Sequence, residues 1–395
     1  MEHVGTCEEN HEQLQEEDRR RRAGGEGGSG RTAFRDAEYL YKLRFDEVRR
    51  RRAGARGKGE RVRLVQRPLR LNESMVSEGR VLRASAGVVR EGYRDADDEL
   101  GMDGNSEAAL PQGAHILRGF LTFDEQVALV KLCLDAPDPL TPSNHTAHMG
   151  SLPAGLFAAA TRGDVLNENG DGWSRAVDDR GDGAASNGRR GARDLMNRLR
   201  WIALGPPYNW TTRVYEPMSV GRAHRGLPQL LRDIGLRAVD SCCSESAFAS
   251  FDPNAALVNY YGPKDTLMGH VDDAEPDLSK PIVALCLGVP AVFLIGTETR
   301  EEEPAAFLVR SGDVVVLSGR ARRCYHGIPR IIASPNDLQE SLRGPGRGLD
   351  TMKKIMTPFS GGEWPDDFAS HATYMSGHRI SISIRDVGGQ SSPVM

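Results

Sequence analysis

Apolar and polar positions change rhythm along this chain near residue 256. Before that point the spacing is mostly helical. Phe34, Leu40, Leu43 and Val48 recur at helical intervals with charge between them and predict a helix over about 32–50. Thr122 and Glu125 form a capping-box pattern at the head of "FDEQVALVKLCL", just behind a short strand at Ile116 and Leu117. "RDLMNRLRWIALG" reads as a helix running into a strand, and 226–249 as one more helix. From 256 onward the texture is that of strands. "ALVNYY", "PIVALCLG", "AVFLIG", "AAFLVRSGDVVVLSG", "CYHGIPRII" and "RISISIRDV" are short runs rich in Val and Ile, punctuated by Gly, Pro or Asp. Helices followed by several short strands predict an α+β chain, a sandwich or barrel with helices on one side.

That rhythm divides the chain. Residues 1–30 read as an acidic and Gly-rich disordered tail, and 31–110 as a basic extension with one helix. Residues 111–255 form a helical and β part in which 135–192, rich in Gly, Asp and Asn, reads as an inserted loop. Residues 256–388 form the β core, with a second inserted loop at 334–375 that holds at most a short helix.

Composition narrows the class. With 39% hydrophobic residues the 395-residue chain can fill a core, and no apolar run approaches the ~18 residues of a membrane span. The N-terminus is acidic and lacks the apolar centre of a signal peptide. Six cysteines without C-x-x-C spacing point to a reduced, intracellular protein, in cytoplasm, nucleus or mitochondrion. The overall charge of −4 hides a basic arm: residues 31–70 hold 14 basic and 5 acidic side chains, 14 − 5 = +9. Such a run is either a solvated face or an arm drawn to phosphates.

The chemistry gathers in the β-rich part. His270 and Asp272 lie at i and i+2, a spacing that puts both side chains on one face of a strand, where they can hold one metal ion. His326 lies within another strand-like run. Two His and one carboxylate with open coordination positions are the facial triad of non-haem Fe(II) oxygenases, whereas a structural zinc site would need a fourth protein ligand. "HRISISIRDV" sets Arg379, Ser381, Ser383 and Arg385 on one strand face and three isoleucines on the other. Those arginines either line a solvated edge or meet an anion, for which a dicarboxylate is a bidentate match.

In order, Asn259 with Tyr261, His270 with Asp272 and Glu275, His326, then Arg379 with Arg385 resemble the AlkB family of Fe(II)/2-oxoglutarate dioxygenases. The segments "LRWIALGPPYNWTTRVY", "DLSKPIVALCLG" and "RSGDVVVLSG" are similar to the subfamily of the first-numbered eukaryotic homologue, which acts on tRNA and DNA. The resemblance spans about 111–388 and implies a double-stranded β-helix (jelly-roll) core flanked by helices. It implies Fe(II) held by His270, Asp272 and His326, with 2-oxoglutarate and O2 as co-substrates. It also implies a 2-oxoglutarate grip by Arg379 helped by Asn259, Tyr261, Ser381 and Arg385. The activity implied is oxidative demethylation of N-methylated bases, above all methyladenine in tRNA, with release of formaldehyde, succinate and CO2. Two positions depart from the pattern: Ser381 stands where the family usually has Asn, and Ala321 where the subfamily tends to have Ser, although Arg322 matches. Tyr208 and Trp210 are candidates to stack on a flipped base or are ordinary core residues, and Asp273 and Glu275 contact the base or orient the ligand loop. Two other readings stand beside this one: a protein side-chain hydroxylase with the same iron centre, and a catalytically silent RNA-binding module. A monomer that meets nucleic acid and no membrane is the expected working state.

Overall fold

The computed structural model describes residues 32–42, 82–83, 110–175 except 136, 138 and 140, then 190–206, 208–209, 214–215, 226–243, 250–333 and 365–388. The predicted tail at 1–30, nearly all of the basic arm beyond residue 42, Trp210 and the loop at 334–364 lie outside the described residues.

Helix α1 is Ala33–Lys42, the first part of the helix read from the sequence. Two strands follow, β1 at Leu82–Arg83 and β2 at Ala114–Leu117. Helix α2, Phe123–Asp135, starts where the capping box predicts. The Thr122 N–H donates to the Glu125 carboxylate at 2.9 Å, and the Glu125 N–H donates back to the Thr122 hydroxyl at 3.2 Å. The stretch expected to be an inserted loop is in part ordered structure. It carries α3 at Asn144–Met149, α4 at Leu156–Arg162, and a small hairpin of β3 (Val165–Leu166) with β4 (Trp173–Ser174). Helices of six or seven residues span two turns or fewer, too short for apolar periodicity to register.

Helix α5, Ala192–Arg198, leads into β5, Trp201–Leu204. A second hairpin pairs β6 (Tyr208–Asn209) with β7 (Val214–Tyr215), and α6 runs over Gln229–Cys242. Seven strands then complete the core: β8 (Ala255–Tyr261), β9 (Leu267–His270), β10 (Ile282–Gly288), β11 (Ala291–Ile295), β12 (Ala305–Val309), β13 (Val314–Leu317) and β14 (His326–Ile331). A short helix α7, Ala369–Met375, precedes the last strand β15, Arg379–Arg385.

The strands form two main antiparallel sheets, one ordered β1-β2-β13-β10-β15-β8-β5 and one ordered β12-β11-β14-β9. This is the jelly-roll core with flanking helices that the resemblance implies. The large sheet also takes in β2 and β5, strands from upstream of residue 256. Alternation decides what each face does. On β15 the isoleucines at 380, 382 and 384 join α2, α4, α5 and α6 in one apolar cluster. The opposite face, with Tyr261, Cys286 and Val315, looks across at Phe293, Ile295 and Ile328 of the small sheet in a second cluster. The Tyr260 hydroxyl, on the helix side, donates to the Cys133 carbonyl at 2.6 Å and ties β8 to α2. Between the sheets lies the space into which the polar residues of β8 and β15 project.

Candidate active site

Strand pairing brings the two predicted histidines together. His270 ends β9, His326 opens β14, and the two are register partners, so their rings share a face with centroids 4.5 Å apart. Asp272 follows two residues after His270. Its Oδ1 lies 3.6 Å from His270 Nε2, and its Oδ2 lies 3.6 Å from His326 Nε2. The three ligand atoms fall within 4.8 Å of one another, and the group numbers three.

The second nitrogen of each ring fixes the tautomer. His270 Nδ1 bonds the Met268 carbonyl at 2.9 Å, and His326 Nδ1 bonds the Cys324 carbonyl at 3.1 Å. A carbonyl accepts, so each Nδ1 carries the hydrogen and each Nε2 turns a lone pair toward Asp272. Burial, reinforced by His326, presses the His270 pKa down to about 4, so at neutral pH this ring is neutral and available as a ligand. Burial works against the Asp272 carboxylate, but the Arg385 guanidinium outweighs it and holds the carboxyl well below its ordinary range. Two imidazoles and a carboxylate suit an Fe(II) ion and leave coordination positions for co-substrates. His270 is 35% exposed, against 10% for His326 and 11% for Asp272, so the mouth of the site lies on the His270 side.

Around Asp272 the protein closes its own electrostatics. Arg385 Nη2 donates to Asp272 Oδ1 at 3.1 Å, and its Nη1 donates to Glu275 Oε1. Arg322, almost wholly buried, donates from Nη2 to Glu275 Oε2 at 2.9 Å, from Nη1 to the Asp272 carbonyl at 2.8 Å and from Nε to the Lys280 carbonyl at 2.8 Å. The Tyr215 hydroxyl reaches Glu275 at 3.5 Å. Register puts Arg385 beside Asp272, where it is engaged with Asp272 and Glu275. Glu275 is buried under two guanidinium groups that also bond Asp272, so these ion pairs tie down the loop that follows His270. Asp273, in contrast, is exposed.

Arg379, at the other end of β15, is placed otherwise. It is 1% exposed, its Nη1 donates to the Val289 carbonyl at 3.2 Å and the Val309 carbonyl at 3.5 Å, and its Nε has no partner. Among the described residues no carboxylate pairs with it. Register sets Tyr261 directly opposite Arg379, and Asn259 opposite Ser381. Both pairs lie on the face between the sheets. A buried guanidinium with unspent donors, flanked by a hydroxyl and an amide, fits one carboxylate of a dicarboxylate.

Tyr208 is half-buried with its ring 4.9 Å from that of Tyr215, which places the β6–β7 hairpin over the Glu275 side of the site. Sequence reasoning passed over the roles of Tyr215 and Arg322, and Arg322 had carried a signal, four residues before His326. It also passed over a support behind His270. Helix α1 lays Phe34 against Gly269 and Gly296, where an added Cβ at Gly269 would come within 2.4 Å of the ring. Glu38 accepts the Gly269 N–H, and Arg300 Nη2 donates to the Gly269 carbonyl at 2.9 Å. Both backbone groups of the residue before His270 are thus held by side chains.

The 2OG-Fe(II) oxygenase superfamily profile matches residues 113–385. The chain is 30% identical over 371 residues to the DNA N(6)-methyladenine demethylase ALKBH1A of Arabidopsis thaliana, an alignment covering 90% of this chain and 96% of that protein. It is 40% identical over 147 residues to the tRNA demethylase abh1 of Schizosaccharomyces pombe, covering 36% of this chain and 46% of that one. To the mouse nucleic acid dioxygenase ALKBH1 it is 32% identical over 210 residues, covering 52% of this chain and 51% of the relative.

Proposed function

This chain belongs to the 2OG-Fe(II) oxygenase superfamily, in its AlkB family, and from that premise we propose that it demethylates N-methylated bases in nucleic acid, with methyladenine in tRNA as its main substrate. The observation that carries the reading is the pairing of two features in one inter-sheet space: the His270–Asp272–His326 group and the buried Arg379 with donors to spare. Fe(II) with O2 would supply an oxidant able to hydroxylate an N-methyl carbon, made at the expense of 2-oxoglutarate, which is converted to succinate and CO2; the hydroxymethyl product then loses formaldehyde.

The residues of the chain do the rest. His270, Asp272 and His326 would hold the ion on one side, and their hydrogen bonds to Met268, Cys324 and Arg385 fix how each ligand atom points. Arg379, with Tyr261 and Asn259 beside it, would take the far carboxylate of the co-substrate. Ser381 offers a shorter side chain at the position of the family Asn. Tyr208 and Tyr215 stand together beside Glu275 as an aromatic pair, the kind of surface on which a base lifted from its stack can rest.

Nucleic acid is favoured over a protein side chain because the matched relatives are named as nucleic-acid demethylases and because residues 31–70 carry nine net positive charges. The test is to incubate methylated tRNA, a methylated DNA oligonucleotide and a methyl-lysine peptide separately with the protein, Fe(II) and 2-oxoglutarate, and to measure products by mass spectrometry. Loss of methyladenine from tRNA is expected to be the fastest. Turnover of the peptide alone would move the reading to a protein substrate, and no turnover of any of them would leave a binding module.

A further inference from the structure

A second cluster of metal-ligating side chains lies on the other face of the large sheet. On β2, Ile116 faces the small sheet, while His115 and Leu117 face the helices. Helix α6 crosses that helix-side face and ends with Cys242, followed by Cys243 as its cap, whose N–H donates to the Val239 carbonyl at 2.8 Å. The result is a buried imidazole and two half-buried thiols whose ligand atoms lie within 4.8 Å of one another.

We propose that His115, Cys242 and Cys243 form a second metal site, separate from the His–Asp–His centre, which takes a thiophilic ion of the Zn2+ class through one imidazole and two thiolates. Distance is the first argument. The two sulfurs stand 3.8 Å apart. A disulfide would need about 2.05 Å. Two sulfurs bound to one tetrahedral zinc at ~2.3 Å each are separated by about 3.8 Å. Ligand type is the second argument, since two sulfurs and one imidazole select zinc or Cu(I) over the hard ions that carboxylate sites take. Access is the third: both cysteines are half-buried, which leaves a way in and a fourth position for water. The thiols of Cys133, Cys286 and Cys324 are pushed up by burial, whereas the Cys242 hydrogen bond and that of Ser318 outweigh burial at Cys243 and bring it down to about 7. Binding would release the thiol protons and pin the C-terminal end of α6 to β2, making the ion a staple between helix layer and sheet.

Co2+ as a zinc surrogate separates this site from the iron site, because sulfur-to-Co2+ charge transfer absorbs in the near ultraviolet and the His–Asp–His centre has no sulfur. The full chain, reduced and loaded with Fe(II), is titrated with Co2+. The expected result is a charge-transfer band that saturates at one equivalent, is abolished by one equivalent of Zn2+, and is unchanged in His270→Ala. Cys242→Ser combined with Cys243→Ser should remove the band, and His115→Gln should weaken Co2+ binding about tenfold or more. No band in the folded wild-type chain, or a band that survives the double serine variant, overturns the proposal. Should the serine variants misfold, alkylation of the wild-type chain decides. Zn2+ should slow iodoacetamide labelling of Cys242 and Cys243 about tenfold relative to metal-free protein, and equal rates would refute the site.

Discussion

At one end of β15 the Arg385 guanidinium is matched by Asp272 and Glu275, with Arg322 bracing Glu275 from the far side. At the other end Arg379 is as deeply buried and meets two backbone carbonyls and no carboxylate among the described residues. Burying a guanidinium costs several kcal/mol unless it is paired. The Arg385 end recovers that cost within the protein and so serves to hold Asp272 rigidly. The Arg379 end, with two carbonyls alone, recovers less of it, and in our proposal the co-substrate carboxylate completes it. A strand with the same residue at both ends thus separates a brace from a proposed receptor.

The largest effect should come from breaking the brace. Glu275→Ala leaves Arg322 and Arg385 facing each other over a vacated carboxylate and should cost about 3–5 kcal/mol in urea unfolding. Arg379→Met removes a buried charge that has no carboxylate partner. In the absence of 2-oxoglutarate it should leave unfolding unchanged within about 1 kcal/mol or stabilise the chain. Equal destabilisation by the two would erase the distinction between the ends.

Next comes the receptor itself. Arg379→Ala should lose ~1.5–3 kcal/mol of 2-oxoglutarate binding, roughly 10- to 150-fold, while Fe(II) binding stays within a few-fold of wild type. Titration of the iron–keto acid absorption reads both quantities. Wild-type affinity in this variant would place the co-substrate anchor elsewhere.

A smaller effect is expected behind His270. Glu38→Ala deprives the Gly269 N–H of its acceptor and should cost about 1–3 kcal/mol of stability. Fe(II) affinity, measured by competition with a chromophoric chelator, should fall in parallel, and a loss of stability with intact affinity would limit Glu38 to anchoring α1. The smallest change is Ser381→Asn. The longer amide, facing Asn259 across the pair, should tighten 2-oxoglutarate by a few-fold, about 0.5–1 kcal/mol. Weaker binding would mean that the inter-sheet space beside Ser381 is needed for the co-substrate itself.

Local spacing explains which of these features could be read in advance. His270 and Asp272 declare themselves at i and i+2, and the Arg-Ile-Ser-Ile-Ser-Ile-Arg alternation announces which face of β15 is polar. His326 joins them because an imidazole in a short strand-like run is conspicuous. The brace was not legible, because Glu275 meets Arg385 across 110 residues and Arg322 across 47, through register that no local pattern encodes. The same holds for Phe34 on Gly269, and for His115 with the cysteines that end α6. The part of 135–192 that folds as α3 and α4 escaped for a different reason: two turns of helix hold too few apolar positions to show a period.

Helix α1 has one more consequence. Among the described residues strand β9 is the last strand of its sheet, so its outer row of N–H and C=O groups meets no further strand there. At Gly269 that row is occupied by Glu38 and Arg300, and Phe34 covers the strand beside it. Without residues 1–42 the bare edge would be a template for strand addition between molecules. Solubility, and not merely activity, should then depend on the N-terminal segment: a chain beginning at residue 43 is expected to self-associate as concentration rises, through the very strand that presents His270.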